Sequence, residues 1–191
     1  MAAPTDKLTD SAPEVAASAW RLVADVGGTN ARFAIASDKG SISLVTHYPV
    51  DQYSSIEQAV SAFLDEVAPH GYSGTPDAAC FALAGPIEGD EFRFTNSTWI
   101  ASRSRLSRVL AGSAVDFVND FAAIGHAIPH LESSDWIQMG GGASRVDYPI
   151  VVLGPGTGLG VCTLVGTEHG LTVIEGEGGH ADFPPTNKEE A

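Results

Sequence analysis

The feature that most constrains this chain is a change of hydrophobic period between Trp20 and Val67. Three short apolar runs come first: Trp20 to Val26, Ala31 to Ala36 and Ile42 to Tyr48. Gly27-Gly28-Thr29-Asn30 joins the first two, and Asp38-Lys39-Gly40 leads into the third. Runs this short, broken by glycine and turn residues, predict an antiparallel meander. From Ser54 to Val67 the period turns helical, with Ile56, Ala59, Val60, Phe63, Leu64 and Val67 on one face. Ser54 and Glu57 have the spacing of a capping box, and Pro69 supplies the stop. A meander that then alternates with helices predicts a mixed α/β sheet, because a purely doubly wound sheet would open with a helical crossover.

The alternation continues down the chain. Asp77 to Leu83 reads as a buried strand, broken by Gly85-Pro86, and Glu88-Gly89-Asp90 turns into a short strand over Glu91 to Thr95. Arg103 to Leu110 reads as a helix ending before Gly112, and Val115 to Val118 as a strand. Phe121, Ile124, Gly125 and Ile128 then share a helical face up to Pro129. After Gly140-Gly141-Gly142, strands are expected over Tyr148 to Leu153, Leu159 to Val165 and Leu171 to Ile174. The expected organisation is a disordered extension over 1–19, a small α/β lobe over 20–130, and the start of a second α/β lobe over 131–191. Thr186 to Ala191 looks like a helix cap with an acidic first turn, and one turn does not stand alone. The sequence therefore reads as the N-terminal portion of something longer.

Charge narrows the function. With 24 Asp+Glu against 10 Lys+Arg, the net charge is −14, which excludes a broad nucleic-acid-binding face but not a site for one nucleotide. No apolar run approaches the roughly 20 residues of a membrane span, and the start lacks a signal-peptide pattern. Cys80 and Cys162 stand alone in apolar contexts, as reduced thiols of a cytoplasmic protein do. No CxxC or HExxH pattern occurs.

Four segments carry candidate chemistry. In Ala24-Asp25-Val26-Gly27-Gly28-Thr29 a strand-end carboxylate precedes two glycines and a hydroxyl. Glycines let backbone N–H groups approach an anion, and Asp25 suits Mg²⁺, directly or through water; a plain hairpin turn is the alternative. Gly154-Pro155-Gly156-Thr157-Gly158-Leu159-Gly160 holds more glycine than a tight turn needs, yet is neither a Rossmann fingerprint nor a P-loop. Two such loops suggest a clamp on the phosphates of a nucleotide lying between lobes. Asn119-Asp120 follows a strand and opens a helix, where α/β sheets present ligand-binding residues, or where Asn119 simply caps and Asp120 complements the dipole. Glu175-Gly176-Glu177-Gly178-Gly179-His180 can aim Glu177 and His180 at one small polar ligand, or be a solvated loop.

Taken in order with Thr95-Asn96-Ser97-Thr98-Trp99, these segments resemble the bacterial ATP-dependent glucokinases from about Leu22 to the C-terminus. The resemblance implies an actin-like/hexokinase fold of two RNase H-like lobes. It also implies ATP held by Ala24 to Thr29 and by the loop containing Gly154, Gly156, Thr157 and Gly158. Asp120 matches the catalytic base, and Asn119, Glu177 and His180 match the groups that hold sugar hydroxyls. No structural zinc is expected, because the tail Gly179 to Pro185 lacks the cysteine-rich motif of the related repressor/kinase family. Glucose and Mg·ATP are the implied partners, and the complete protein is implied to be a homodimer. Family members continue well past this length, so the 191 residues by themselves are expected to have little activity. A sugar- or nucleotide-responsive regulator without turnover, and a phosphatase or other ATPase on the same fold, are the competing readings.

Overall fold

The computed structural model describes residues 19–142, 145, 148–156, 158–168 and 170–180. The expected extension over 1–19, Thr157, the His180 side chain and the helix turn at Thr186–Ala191 fall outside the described residues, Ala19 and the His180 backbone excepted. The meander forms as expected, with β1 (Trp20–Val26), β2 (Asn30–Ser37) and β3 (Ile42–Pro49). These strands pair antiparallel, Val26 opposite Ala31 and Phe33 opposite Thr46. Helix α1 (Ile56–Val67) leads to β4 (Ala78–Leu83). A hairpin of β5 (Glu91–Arg93) and β6 (Ile100–Ser102) follows, then helix α2 (Arg103–Val109) and β7 (Ala114–Asn119). The sheet order β3-β2-β1-β4-β7 returns the chain past β1 after α1, so the architecture is a mixed α/β sheet. Helix α3 (Asp120–Ala127) precedes β8 (Ile150–Pro155), β9 (Leu159–Thr167) and β10 (Gly170–Gly176), an antiparallel three-stranded sheet.

Internal packing divides the chain into two units, Met1–Phe81 with Gly89–Asp116 and Ala82–Glu88 with Phe117–Ala191. The division parts from the expected lobe boundary near residue 130 over Ala82 to Glu88 and over Phe117 to His130. Its physical basis is α3, which packs on β8, β9 and β10. The expected apolar face of α3 holds at Phe121 and Gly125 but not at Ile124. Ile124 is 45% exposed, while Ala122 and Gly125 are buried. A Cβ at Gly125 would come within 2.8 Å of Cys162 Sγ and 2.9 Å of Val173, so the helix presses its glycine against the sheet and turns Ile124 outward.

The first unit is built around aromatic packing. Phe33 is fully buried, with ring centroids 5.2 Å from Tyr48, 5.7 Å from Phe63 and 6.4 Å from Phe81. Ile56, Ala59, Val60, Phe63 and Val67 of α1 are buried, as their spacing demands. The expected capping box is displaced by one residue. Ser55 caps α1 by accepting from Gln58 N–H at 3.2 Å, and Gln58 Oε1 reaches back to Ser54 N–H at 2.7 Å. Glu57 is drawn away by Arg105, whose Nε lies 2.8 Å from its carboxylate. Arg105 also donates to Glu91 at 3.0 Å and to the Ile100 carbonyl at 2.9 Å, tying α2 to α1 and to the β5–β6 hairpin. Asp90 accepts from Ser102 and Ser104, and these hydrogen bonds hold its carboxyl below the usual carboxylate range.

Candidate functional site

The first glycine loop is a hairpin tip whose flanks are already engaged. Ala24 and Val26 are buried on the core side of β1, so their side chains are closed to a ligand. Asp25 points the other way and pairs with Arg32, its register partner on β2, at 2.8 Å. Both side chains are half exposed, so the pair is worth about 0–1 kcal/mol. Gly27 N–H closes the turn on the Asn30 carbonyl at 2.9 Å. Gly28 has a packing role: a Cβ there would stand 2.9 Å from Asn96 Cβ and 3.3 Å from the Asn96 carbonyl. This close approach joins the Asp25–Asn30 segment to the Thr95–Trp99 segment. Trp99, whose indole N–H donates to the Tyr53 carbonyl at 2.9 Å, is a core anchor there.

As a resident metal site the loop is poor. Asp25 is a single half-exposed carboxylate shared with a guanidinium, and no group of three or more His, Cys, Asp or Glu is poised for a metal among the described residues.

The second unit gathers three of the other segments. Asn119, the last residue of β7, caps α3: its Oδ1 accepts from Ala122 N–H at 3.0 Å and its Nδ2 donates to the Gly85 carbonyl at 3.2 Å. These bonds use one lone pair and one N–H of an amide that offers two of each. Asp120 is half-buried in the first turn, where the helix end favours negative charge, and its Oδ1 accepts from Phe121 N–H at 2.9 Å. The capping reading and the ligand-binding reading of this pair are therefore compatible.

Phe121 connects this helix to the glycine loop. β8 and β9 pair Gly154 with Gly160 and Pro155 with Leu159, leaving a three-residue tip of the kind common in hairpins. A Cβ on either Gly154 or Gly160 would overlap the Phe121 ring, so the ring lies on that cross-strand pair. At the tip, Gly156 N–H donates to the Gly158 carbonyl at 2.8 Å. The expected role of these glycines is phosphate contact; in the structure two of them, Gly154 and Gly160, make room for the ring. An aromatic residue directly after Asp120, set against glycines beyond a turn's need, is the signal that could have shown it.

The last segment packs on the same hairpin. Glu177 is exposed and links β10 to a 3-10 turn, Gly178–His180. A Cβ at Gly178 would collide with Val161, and one at Gly179 would stand 2.6 Å from the Leu159 carbonyl. Phe121, the residue after Asp120, and Gly178–Gly179, the residues after Glu177, thus both pack on the β8–β9 hairpin at the start of β9. A cavity of about 270 Å³ lined by Gly125, His126, Pro129, His130 and residues of β9 and β10 sits at the opposite end of α3 and is not part of this cluster.

Comparisons with known proteins bear on this cluster. A glucokinase family model matches residues 22–191. A glucokinase of Tolumonas auensis is 44% identical over 170 residues, covering 88% of this chain and 51% of the relative. The crystal structure of a glucokinase from an Antarctic psychrotroph superposes with a TM-score of 0.76 at 33% identity, covering 90% of this chain and 54% of that one. A glucokinase from Balamuthia mandrillaris, solved in complex with glucose, gives 0.71 at 25% identity, covering 93% and 52%. The chain spans about half the length of the curated relatives it matches.

Proposed function

The chain belongs to the glucokinase family, and on that premise we propose that the complete polypeptide moves the γ-phosphoryl group of Mg·ATP to the 6-hydroxyl of glucose. The observation that carries this reading is that the residue after Asp120, Phe121, and the two residues after Glu177 pack on the same Gly154–Gly160 hairpin. As the bond from the sugar oxygen to phosphorus forms, the bond to the β,γ-bridging oxygen breaks, and ADP leaves. Asp120 receives the hydroxyl proton. Such transfer depends on positioning and charge stabilisation more than on a strong base, so a carboxylate in the first turn of a helix is adequate. Asn119, Glu177 and His180 hold sugar hydroxyls. The remaining N–H and lone pair of Asn119 suit a hydroxyl, which both donates and accepts.

Phosphate contact falls to the two glycine loops. In the first, the Gly28 and Thr29 N–H groups and the Thr29 hydroxyl would meet an anion, since the turn itself uses Gly27 N–H. In the second, the segment from Gly154 through Gly156, Thr157 and Gly158 takes the same part. Mg²⁺ would come as part of the nucleotide substrate, and Asp25, whose carboxylate also pairs with Arg32, is the residue that would meet it, through water. The acidic surface and the two free cysteines, together with the lack of any described helix long and apolar enough to cross a membrane, support a cytoplasmic site of action.

The test is ADP formation by the complete polypeptide with Mg·ATP, with and without glucose. ADP is expected only when glucose is present, with one glucose 6-phosphate formed per ADP. Equal ADP release without sugar would assign the chain to the ATPase reading instead. Thermal stabilisation by glucose with no ADP would assign it to the regulator.

A further inference from the structure

We infer that Phe121 is the positioning residue that couples the nucleotide loop to the catalytic carboxylate. The inference rests on the kinase reading above. One ring joins two pieces of chain with different tasks: it is carried by the residue after Asp120, and it lies on the Gly154–Gly160 pair at the base of the loop tip. The backbone N–H of the same residue donates to Asp120 Oδ1 at 2.9 Å, so movement of Phe121 moves the carboxylate directly. On the kinase reading the loop under the ring would hold the phosphoryl donor, and the residue before the ring is the proton acceptor. The ring therefore sets the distance between them. Asn119 is held independently, through Ala122 N–H and the Gly85 carbonyl, neither of which involves the ring. Loss of the ring should thus misplace Asp120 relative to the loop while leaving the sugar contact of Asn119 in place.

The test uses the complete polypeptide, with kcat referred to folded protein and KM measured for glucose and for ATP. Phe121→Ala is expected to lower kcat about 100-fold, the scale of an ångström-sized misplacement, while the glucose KM stays within about 3-fold. Phe121→Leu, which keeps an apolar body on the glycines, should recover about 10-fold of that loss; a role in folding alone would not give this kcat-against-KM split. Gly160→Ala places a methyl group where the ring sits and should also lower kcat. In the Phe121→Ala background it should cost no more than about 2-fold, because contacting residues are not additive. A Phe121→Ala enzyme within about 3-fold of wild-type kcat, or losses at 121 and 160 that multiply, would overturn the inference while leaving the kinase reading intact. A wild-type polypeptide that forms no glucose-dependent ADP would overturn the kinase reading, and the inference with it.

Discussion

Asp120→Asn in the complete polypeptide is expected to lower glucose-dependent ADP formation by about 10²- to 10⁴-fold, the range typical of a lost general base. The substitution is nearly isosteric, and the amide oxygen can still accept the Phe121 N–H that the carboxylate accepts at 2.9 Å. The Asn119 cap and its bond to Gly85 are untouched. Glucose affinity, measured by calorimetry, should therefore stay within a few-fold of wild type. What disappears is the group that takes the hydroxyl proton as the phosphoryl group transfers. Turnover unchanged by the substitution would remove Asp120 from the mechanism. A parallel collapse of sugar binding would instead make it a binding group.

The second large effect concerns the fold that carries this chemistry. Phe33→Ala should destabilise the complete polypeptide by about 3–5 kcal/mol, the usual cost of emptying a buried phenylalanine site. Phe33 is fully buried where β2, β3, α1 and β4 meet, and Tyr48, Phe63 and Phe81 would all lose a ring neighbour. Those partners come from separate elements, so the space cannot close without moving a strand or α1. Against the 5–15 kcal/mol that holds most domains together, this is a large share. Denaturant unfolding measures it. A loss below about 1 kcal/mol would mean that the three remaining rings repack freely and that the aromatic cluster does not organise the sheet.

How much of this was legible beforehand varied with the physics. The meander and α1 were, because their periods persist over enough residues that one slip would expose a whole face. The cap of α1 was misplaced by one residue, since Ser54 and Ser55 are chemically equivalent and only the pull of Arg105 on Glu57 separates them. Strand β6 went unread: three residues beside a turn carry no period, and its pairing with β5 is a tertiary fact. The helix after Asn119 is legible, and so are Phe121 and Gly125 on its packed face; Ile124 is not, because it stays exposed beside the close approach of Gly125 to Cys162 and Val173. The same limit applies at the candidate site. A sequence shows that Gly154 and Gly160 lack side chains; it does not show whether the space is taken by a phosphate or by the ring of Phe121.

The most direct measurement is a crystal structure of the complete polypeptide with glucose and a non-hydrolysable ATP analogue. The account predicts the sugar's 6-hydroxyl within about 2.6–3.2 Å of an Asp120 carboxylate oxygen, with the γ-phosphate on the Gly154–Gly160 side. Glucose bound away from Asn119 and Asp120, or an Asp120 carboxylate beyond the reach of one bridging water, would contradict it.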